Sequence, residues 1–267
     1  MSKLLIVAGT KGGIGKTLIS TFFADIAGDY GLHPVLFDCD DENQSLSNVY
    51  KNVPGIEVSS VTPDSIQDMD YPLDAVINRI EQLESSSSQD VNERLYILDM
   101  KAGTSVSTLE WLEAFPFAHL SEVGVEIFLV GCLTAEVDSS LTWGRWLLKY
   151  REAALAGELR FIIVKNKIAG ENFDFYDDKM KQVQEEYLSS TIVIDFPEIS
   201  SRHLRRIREN GASYGQVAKS LVQIKSFGFM DMHRIRLMYA KIKDEFGGFF
   251  RNAASGKVVE NGGKQSD

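Results

Sequence analysis

The chain has 267 residues, of which 44% are hydrophobic and 25% charged, and its formal net charge is −10. That length and apolar content suit one globular α/β core, and the acidic balance argues against a uniformly basic nucleic-acid binder. No apolar run approaches the roughly 18 residues that a membrane span needs, Gly9 interrupts the opening apolar run too early for a signal-peptide core, and two cysteines give no disulfide framework; a reducing, cytoplasmic setting is expected.

In chain order, residues 4–8 read as a short buried strand, followed by the glycine-rich stretch "GTKGGIGKT" at 9–17 and a helix over 16–30 closed by Gly31. A second strand is expected at 35–38, ending in "DCDDE". A helix follows at 73–83, with Leu73, Val76, Ile77, Ile80 and Leu83 on one face. The polar stretch 84–90 is a linker within the domain. Further strands are expected at 95–99, 125–130, 161–164 and 192–194, with a helix over 137–156 closed by Gly157. Each strand is apolar on both faces, as parallel strands covered by helices are. The pattern predicts a doubly wound, mostly parallel sheet flanked by helices, a three-layer α/β/α domain over 1–253 with a disordered polar tail at 254–267. Cys39 and Cys132 follow core strands and read as small buried residues, a redox or metal role being the other reading.

Gly15-Lys16-Thr17 lies between an apolar strand and an amphipathic helix, the context a phosphate loop requires. There, backbone N–H groups and the positive end of the helix meet phosphate oxygens, Lys16 reaches the β and γ phosphates, and the Thr17 hydroxyl can ligate Mg²⁺. The common pattern asks for glycine at position 10, where this chain has Thr10, and a second lysine stands at Lys11. "KGGIGKT" therefore resembles the deviant Walker A loop of the ParA/MinD family of ATPases.

The resemblance carries several expectations. Lys11 would reach across an ATP-dependent homodimer to the phosphates bound by the other subunit, and the nucleotide would lie on Lys11, Gly12, Gly13, Ile14, Gly15, Lys16, Thr17 and Leu18. Of the two aspartates in the D-x-D after the second strand, Asp40 would orient the attacking water and Asp38 would assist Mg²⁺ through water. The family continues with Pro-Gln where this chain has Asp41-Glu42. Asp99, closing the apolar strand "RLYILD", fits the Walker B position that fixes the metal's hydration shell. Lys101 near it either alters hydrolysis or points outward.

Asn166-Lys167 stands where GTPases carry Asn-Lys-x-Asp, but the position of the guanine-reading carboxylate is Ala169. ATP is therefore favoured as the nucleotide, and by resemblance Asn166 reads the adenine edge while Pro197 and Glu198 flank the base.

From Glu198 to Lys243 ten Arg/Lys face three Asp/Glu, a local excess of +7 that leaves −17 for the rest of the chain. Arg202, Arg205, Arg206 and Arg208 lie on a helix at 200–210 with Leu204 and Ile207 inward. Arg234, Arg236, Lys241 and Lys243 lie beside an apolar face formed by Ile235, Met238, Tyr239, Ile242 and Phe246. Three readings compete for this basic region at 198–250: a solvated face, nonspecific DNA binding as in ParA-like proteins, and a MinD-like membrane contact. The last is disfavoured because Gly247-Gly248 separates Phe249-Phe250 from the helix.

The resemblance implies a cytoplasmic, nucleoid-associated ATPase that uses ATP and Mg²⁺ to segregate or position DNA, with a partner protein that stimulates hydrolysis. The alternatives are a membrane-surface positioning ATPase, a conjugation or cellulose-synthesis accessory, and a metabolic enzyme with the same loop.

Overall fold

A computed structural model describes residues 1–9, 13–40, 44–61, 73–86, 93–101, 110–115, 117–180 and 191–255, excepting the side chains of 169, 180 and 252–255. The strands are β1 (Ser2–Ala8), β2 (His33–Asp38), β3 (Glu57–Ser60), β4 (Arg94–Asp99), β5 (Val125–Leu133), β6 (Arg160–Asn166) and β7 (Thr191–Phe196). They form one sheet in the order β3-β2-β4-β1-β5-β6-β7, and every pairing is parallel.

Successive strand residues point to opposite faces, and both faces are filled. Leu5, Val7, Leu36, Ile97, Phe128, Val130, Ile162 and Phe196 belong to one core. Leu4, Ile6, Phe37, Leu98, Leu129, Phe161 and Ile163 belong to the other. The first core is covered by α1 (Lys16–Ala27), α2 (Ser45–Tyr50) and the C-terminal helices α7 (Ser201–Glu209), α8 (Tyr214–Ala218) and α9 (Phe229–Ser255). The second is covered by α3 (Asp74–Ser85), α4 (Phe117–Glu122), α5 (Val137–Lys149) and α6 (Arg151–Leu155). This is the three-layer α/β/α arrangement expected from the sequence.

Three elements depart from the sequence pattern, the first being the single helix expected over 137–156, which is broken at Tyr150 into α5 and α6. β3 is a seventh strand that the pattern does not announce, because "EVSS" sits at the sheet edge with only Val58 partly covered. At the other end, α9 runs straight through Gly247-Gly248, and Phe249 and Phe250 are buried, 1% and 0% exposed. Phe249 meets Phe23 at 5.4 Å and Phe128 at 5.2 Å between ring centroids, and Phe250 stacks on Tyr30 at 4.9 Å. Ring burial of this kind contributes several kcal/mol, more than the roughly 1 kcal/mol that each helical glycine costs. The two phenylalanines are core residues and offer nothing to a membrane. The tail beyond Ser255 and most of the 84–90 linker lie outside the described residues.

Candidate nucleotide site

All seven strands present their carboxyl ends on one edge, and β1, between β4 and β5, is where the winding reverses. Such an edge is where doubly wound sheets gather a ligand site. β1 ends at Ala8, and beyond it Gly13 has φ 78° and Gly15 has φ 95°. Only glycine adopts these left-handed values without strain. Gly15 is also enclosed: a Cβ there would lie 2.5 Å from the Asn166 amide nitrogen. α1 starts at once, with Ile19 N–H bonded to the Gly15 carbonyl at 2.9 Å. Thr10, Lys11 and Gly12 lie outside the described residues, and so do Asp41 and Glu42.

Lys16 and Thr17 thus stand in the first turn of α1, directly over the strand ends. Lys16 is 6% exposed; burial holds its ammonium below the ordinary lysine range, opposed by Cys132, Asp99 and Asp40. Asp99 at the end of β4 is 2% exposed, and burial pushes its carboxyl up to about 7, against hydrogen bonds from the Thr17 and Ser20 hydroxyls. The Ser20 bond is 3.0 Å. Asp38 is register-paired with Asp99 across β2 and β4. Its carboxylate accepts the Asp40 N–H at 3.2 Å and the Ser47 N–H at 2.8 Å, so it ties the acidic turn to the start of α2. Asp40 and Lys101 are half-buried, and Asp40 interacts electrostatically with Lys16.

Asn166 ends β6 and is 3% exposed. Its Nδ2 donates to the Ile14 carbonyl at 2.8 Å, and its Oδ1 accepts from Ile168 N–H at 3.1 Å. The residue therefore clamps the phosphate loop and keeps one N–H and one lone pair for anything else. Phe196 pairs with Asn166 across β6 and β7, which sets buried Pro197 and exposed Glu198 beside it. Leu18 is partly buried and packs on the core beneath α1.

Of the expected nucleotide-site residues, Lys16, Thr17, Asp38, Asp40, Asp99 and Asn166 stand at this edge. Two participants were not expected. Ser20 lies one turn beyond Thr17 on the same helical face, so helical spacing could have found it. The Ser47 N–H reaches Asp38 from the start of α2, nine residues on, a contact that carries no sequence signal. Among the described residues no cluster of three or more His, Cys, Asp or Glu could hold a metal ion. The donor set, one hydroxyl and two carboxylates beside a phosphate site, suits Mg²⁺, which keeps several waters and takes its remaining oxygens from phosphate.

The basic C-terminal residues are less uniformly available than their number suggests. Arg202 pairs with Asp231 at 3.5 Å, Arg205 with Glu209 at 3.9 Å and Lys243 with Asp29 at 2.8 Å. Arg236 donates to the Ser220 hydroxyl at 2.9 Å, and the Arg206 Nε is buried. Arg208, Arg234 and Lys241 are exposed. No described helix is long and apolar enough to cross a membrane.

A parallel sheet whose first strand runs through paired left-handed glycines into a helix bearing Lys-Thr, opposite a buried strand-end aspartate, defines a phosphate-loop nucleotide-binding protein. Residues 5–252 match the family described as the CobQ/CobB/MinD/ParA nucleotide binding domain, and the chain belongs to it. No curated protein matches the sequence. Among solved structures the chain is similar to a chain of a MinC:MinD cell division protein complex from Aquifex aeolicus, with 14% identity, a TM-score of 0.48, and 91% of this chain and 96% of that one covered. It is similar to a putative plasmid partition protein from Borrelia burgdorferi bound to AMPPNP, with 14% identity, a TM-score of 0.48 and coverage of 90% and 99%. MinD from Pyrococcus horikoshii complexed with Mg-ADP gives 13% identity, a TM-score of 0.47 and coverage of 94% and 99%.

Proposed function

We propose that the chain is an ATP-dependent dimerising switch that hydrolyses ATP to ADP and phosphate. The observation that carries this reading is the convergence of Lys16, Thr17, Asp38 and Asp99 at the start of α1 and the ends of two paired strands. Lys16 neutralises the phosphates, and Lys11, by its place in the family motif, does so from the other subunit. Bound Mg²⁺ would neutralise charge that develops on the phosphate oxygens. Thr17 would hold it directly, with Asp99 and Asp38 orienting its waters. Asp40 positions the attacking water. The free N–H of Asn166, with Pro197 and Glu198, reads the adenine edge.

Light scattering on the purified chain with a non-hydrolysable ATP analogue and with ADP tests this reading. A dimer with the analogue and a monomer with ADP are expected, and Lys11→Ala should remove the dimer while keeping nucleotide binding. No retained adenine nucleotide, or unchanged assembly of Lys11→Ala, would overturn it.

The output proposed is the positioning of DNA through the exposed cations Arg208, Arg234 and Lys241, with a partner protein that stimulates hydrolysis. The charge excess of that region supports it, since phosphate neutralisation needs only a positive stripe. One observation favours a second reading. Phe229, Met230 and Leu237 are 81%, 52% and 59% exposed on the same α9 face as Arg234 and Lys241, and an anionic lipid surface accommodates both kinds of side chain. Retardation of duplex DNA and flotation with anionic vesicles, each with ATP, separate the two.

A further inference from the structure

The helices over the second core carry apolar residues on two sides. Trp143, Trp146, Leu147, Tyr150 and Ala154 are buried toward the sheet, as an amphipathic helix requires. On the outward side Val137, Leu141, Leu148 and Leu155 are 46%, 40%, 59% and 62% exposed. A single exposed leucine is ordinary; large apolar residues in a line along one helical face mark an interaction surface. The backbone turns at Tyr150, yet Leu147, Tyr150 and Ala154 all stay buried, so the same side faces the sheet in α5 and α6 and the outward stripe passes from one into the other.

The spacing says what the stripe fits. Leu141, Leu148 and Leu155 stand seven residues apart, the repeat that holds one side of a helix against a second helix. At 3.6 residues per turn, Arg145 and Glu152, each four residues after a leucine, fall about 40° to the same side of that line, and both are exposed. Arg151 falls on the other flank, which keeps it from Arg145. A lipid surface attracts only cations; here a cation and an anion flank the same apolar line.

We propose that the α5–α6 face binds a second copy of this chain, the two helical faces running antiparallel about a two-fold axis at Leu148. A two-fold contact requires a self-complementary surface, and this one is self-complementary. With Leu148 on the axis, Leu141 of each copy meets Leu155 of the other, because the two lie equally far from the centre. In an antiparallel pair like flanks face each other, so Arg145 of each copy comes level with Glu152 of the other, and two ion pairs close over the leucines. α5 and α6 lead from the end of β5 to the start of β6, and both strands are parallel. The stripe therefore runs away from the edge that holds the nucleotide site, and the contact needs no nucleotide. Its length of about 28 Å places it at the low end of specific interfaces, roughly 1,200 Å² in all, so pairing is weak and concentration-dependent.

Sedimentation equilibrium of the full chain without nucleotide tests this, which keeps the outcome independent of the ATP-driven dimer proposed above. A reversible monomer–dimer equilibrium in the micromolar range is expected. Leu148→Glu should weaken it at least tenfold, since the residue sits at the centre of the contact, with a melting curve showing that the variant is folded. Arg145→Glu and Glu152→Arg should each weaken it, and the chain carrying both should regain the parent's association, because each ion pair is restored with its signs exchanged. Leu148→Cys should be linked to its twin by a short bifunctional maleimide, whereas the two copies of Leu155→Cys stand about 21 Å apart along the helices and should stay at the parent's background. A parent that remains monomeric through the micromolar range, no loss in Leu148→Glu, no recovery in the double exchange, or equal linking of the two cysteine variants would overturn the proposal. An association that Lys11→Ala abolishes and Leu148→Glu leaves intact would belong to the phosphate-loop dimer and would overturn it as well.

Discussion

The Asp25 carboxylate, in the last turns of the helix that begins at the phosphate loop, accepts a 2.7 Å hydrogen bond from the Ser213 hydroxyl 188 residues later. It also accepts from the Tyr50 hydroxyl at 2.8 Å and the Gly215 N–H at 2.8 Å, and its backbone carbonyl accepts from Lys219 and Tyr239. One side chain thus joins α1, α2 and the C-terminal layer. Asp25→Ala leaves a buried hydroxyl and a buried N–H facing a void; a loss of about 3–5 kcal/mol is expected, measured as urea unfolding of the variant against the parent. A loss under 1 kcal/mol would show that the cluster is not a joint.

Burial pushes the Asp25 carboxyl up to about 6, against the lowering by Ser213, Tyr50, Gly215 and Lys219. Between about pH 4 and about pH 6 the folded chain keeps a proton that the unfolded chain has released. The contribution of this group is therefore full below that window and declines as pH rises through it, by about 3 kcal/mol in all. The amide of Asp25→Asn does not titrate. The stability difference between parent and Asp25→Asn should accordingly move against the parent as urea midpoints are taken from pH 4 to pH 7, and a difference that stays flat would mean an ordinary carboxyl.

Gly15 and Asn166 act on each other. In Gly15→Ala the methyl group meets the Asn166 amide at 2.5 Å on a backbone with φ 95°, so the loop must open and nucleotide affinity should fall at least tenfold in calorimetric titration. Asn166→Ala removes the bond to the Ile14 carbonyl. If the amide clamps the loop, the nucleotide-free protein loses about 1–2 kcal/mol. A residue that only read the base would leave the nucleotide-free protein unchanged, and the two results are separable by thermal melts alone.

At Asp99, replacement by Asn preserves an oxygen for the Ser20 hydroxyl and removes the charge that orients a cation's waters. Turnover of ATP should fall by about two orders of magnitude or more, the range seen when an electrostatic group at a reacting centre is lost, while the melting temperature changes little or rises because burying the carboxylate is itself unfavourable. Chelation of divalent cations should reduce the parent's turnover to the variant's level.

The legible parts of this chain were those where residue type and local geometry coincide. Each of the five interior strands carries a run of apolar residues because both faces are covered, and Lys16, Thr17 and Asp99 lie at or just beyond strand ends whose position the runs mark. β3 was silent because an edge strand owes its existence to pairing with β2, register Val35 to Glu57, and needs no apolar signal. The Asp25 joint was equally silent: an aspartate on an otherwise apolar helix looks solvated until Ser213 and Gly215 are folded against it. The basic stretch was legible as charge but not as free surface, since Asp29, just after α1, and Asp231, in the first turn of α9, take up Lys243 and Arg202.

The Gly247-Gly248 pair is the sharpest such case, and it yields a paired prediction. The helix continues through it because Phe246, Phe249 and Phe250 are each no more than 1% exposed, packed with Phe22, Phe23, Tyr30 and Phe128. Phe249→Ala should cost about 3–5 kcal/mol and lower the helical signal in far-ultraviolet circular dichroism, as the last turns lose what holds them. Phe229→Ala, on the exposed start of the same helix, should change stability by less than about 0.5 kcal/mol. A Cβ at Gly248 meets nothing within 4 Å, so Gly248→Ala should raise stability by about 0.5–1 kcal/mol through helix propensity. If Phe249→Ala were as mild as Phe229→Ala, the end of α9 would have to be a detachable segment and not part of the core.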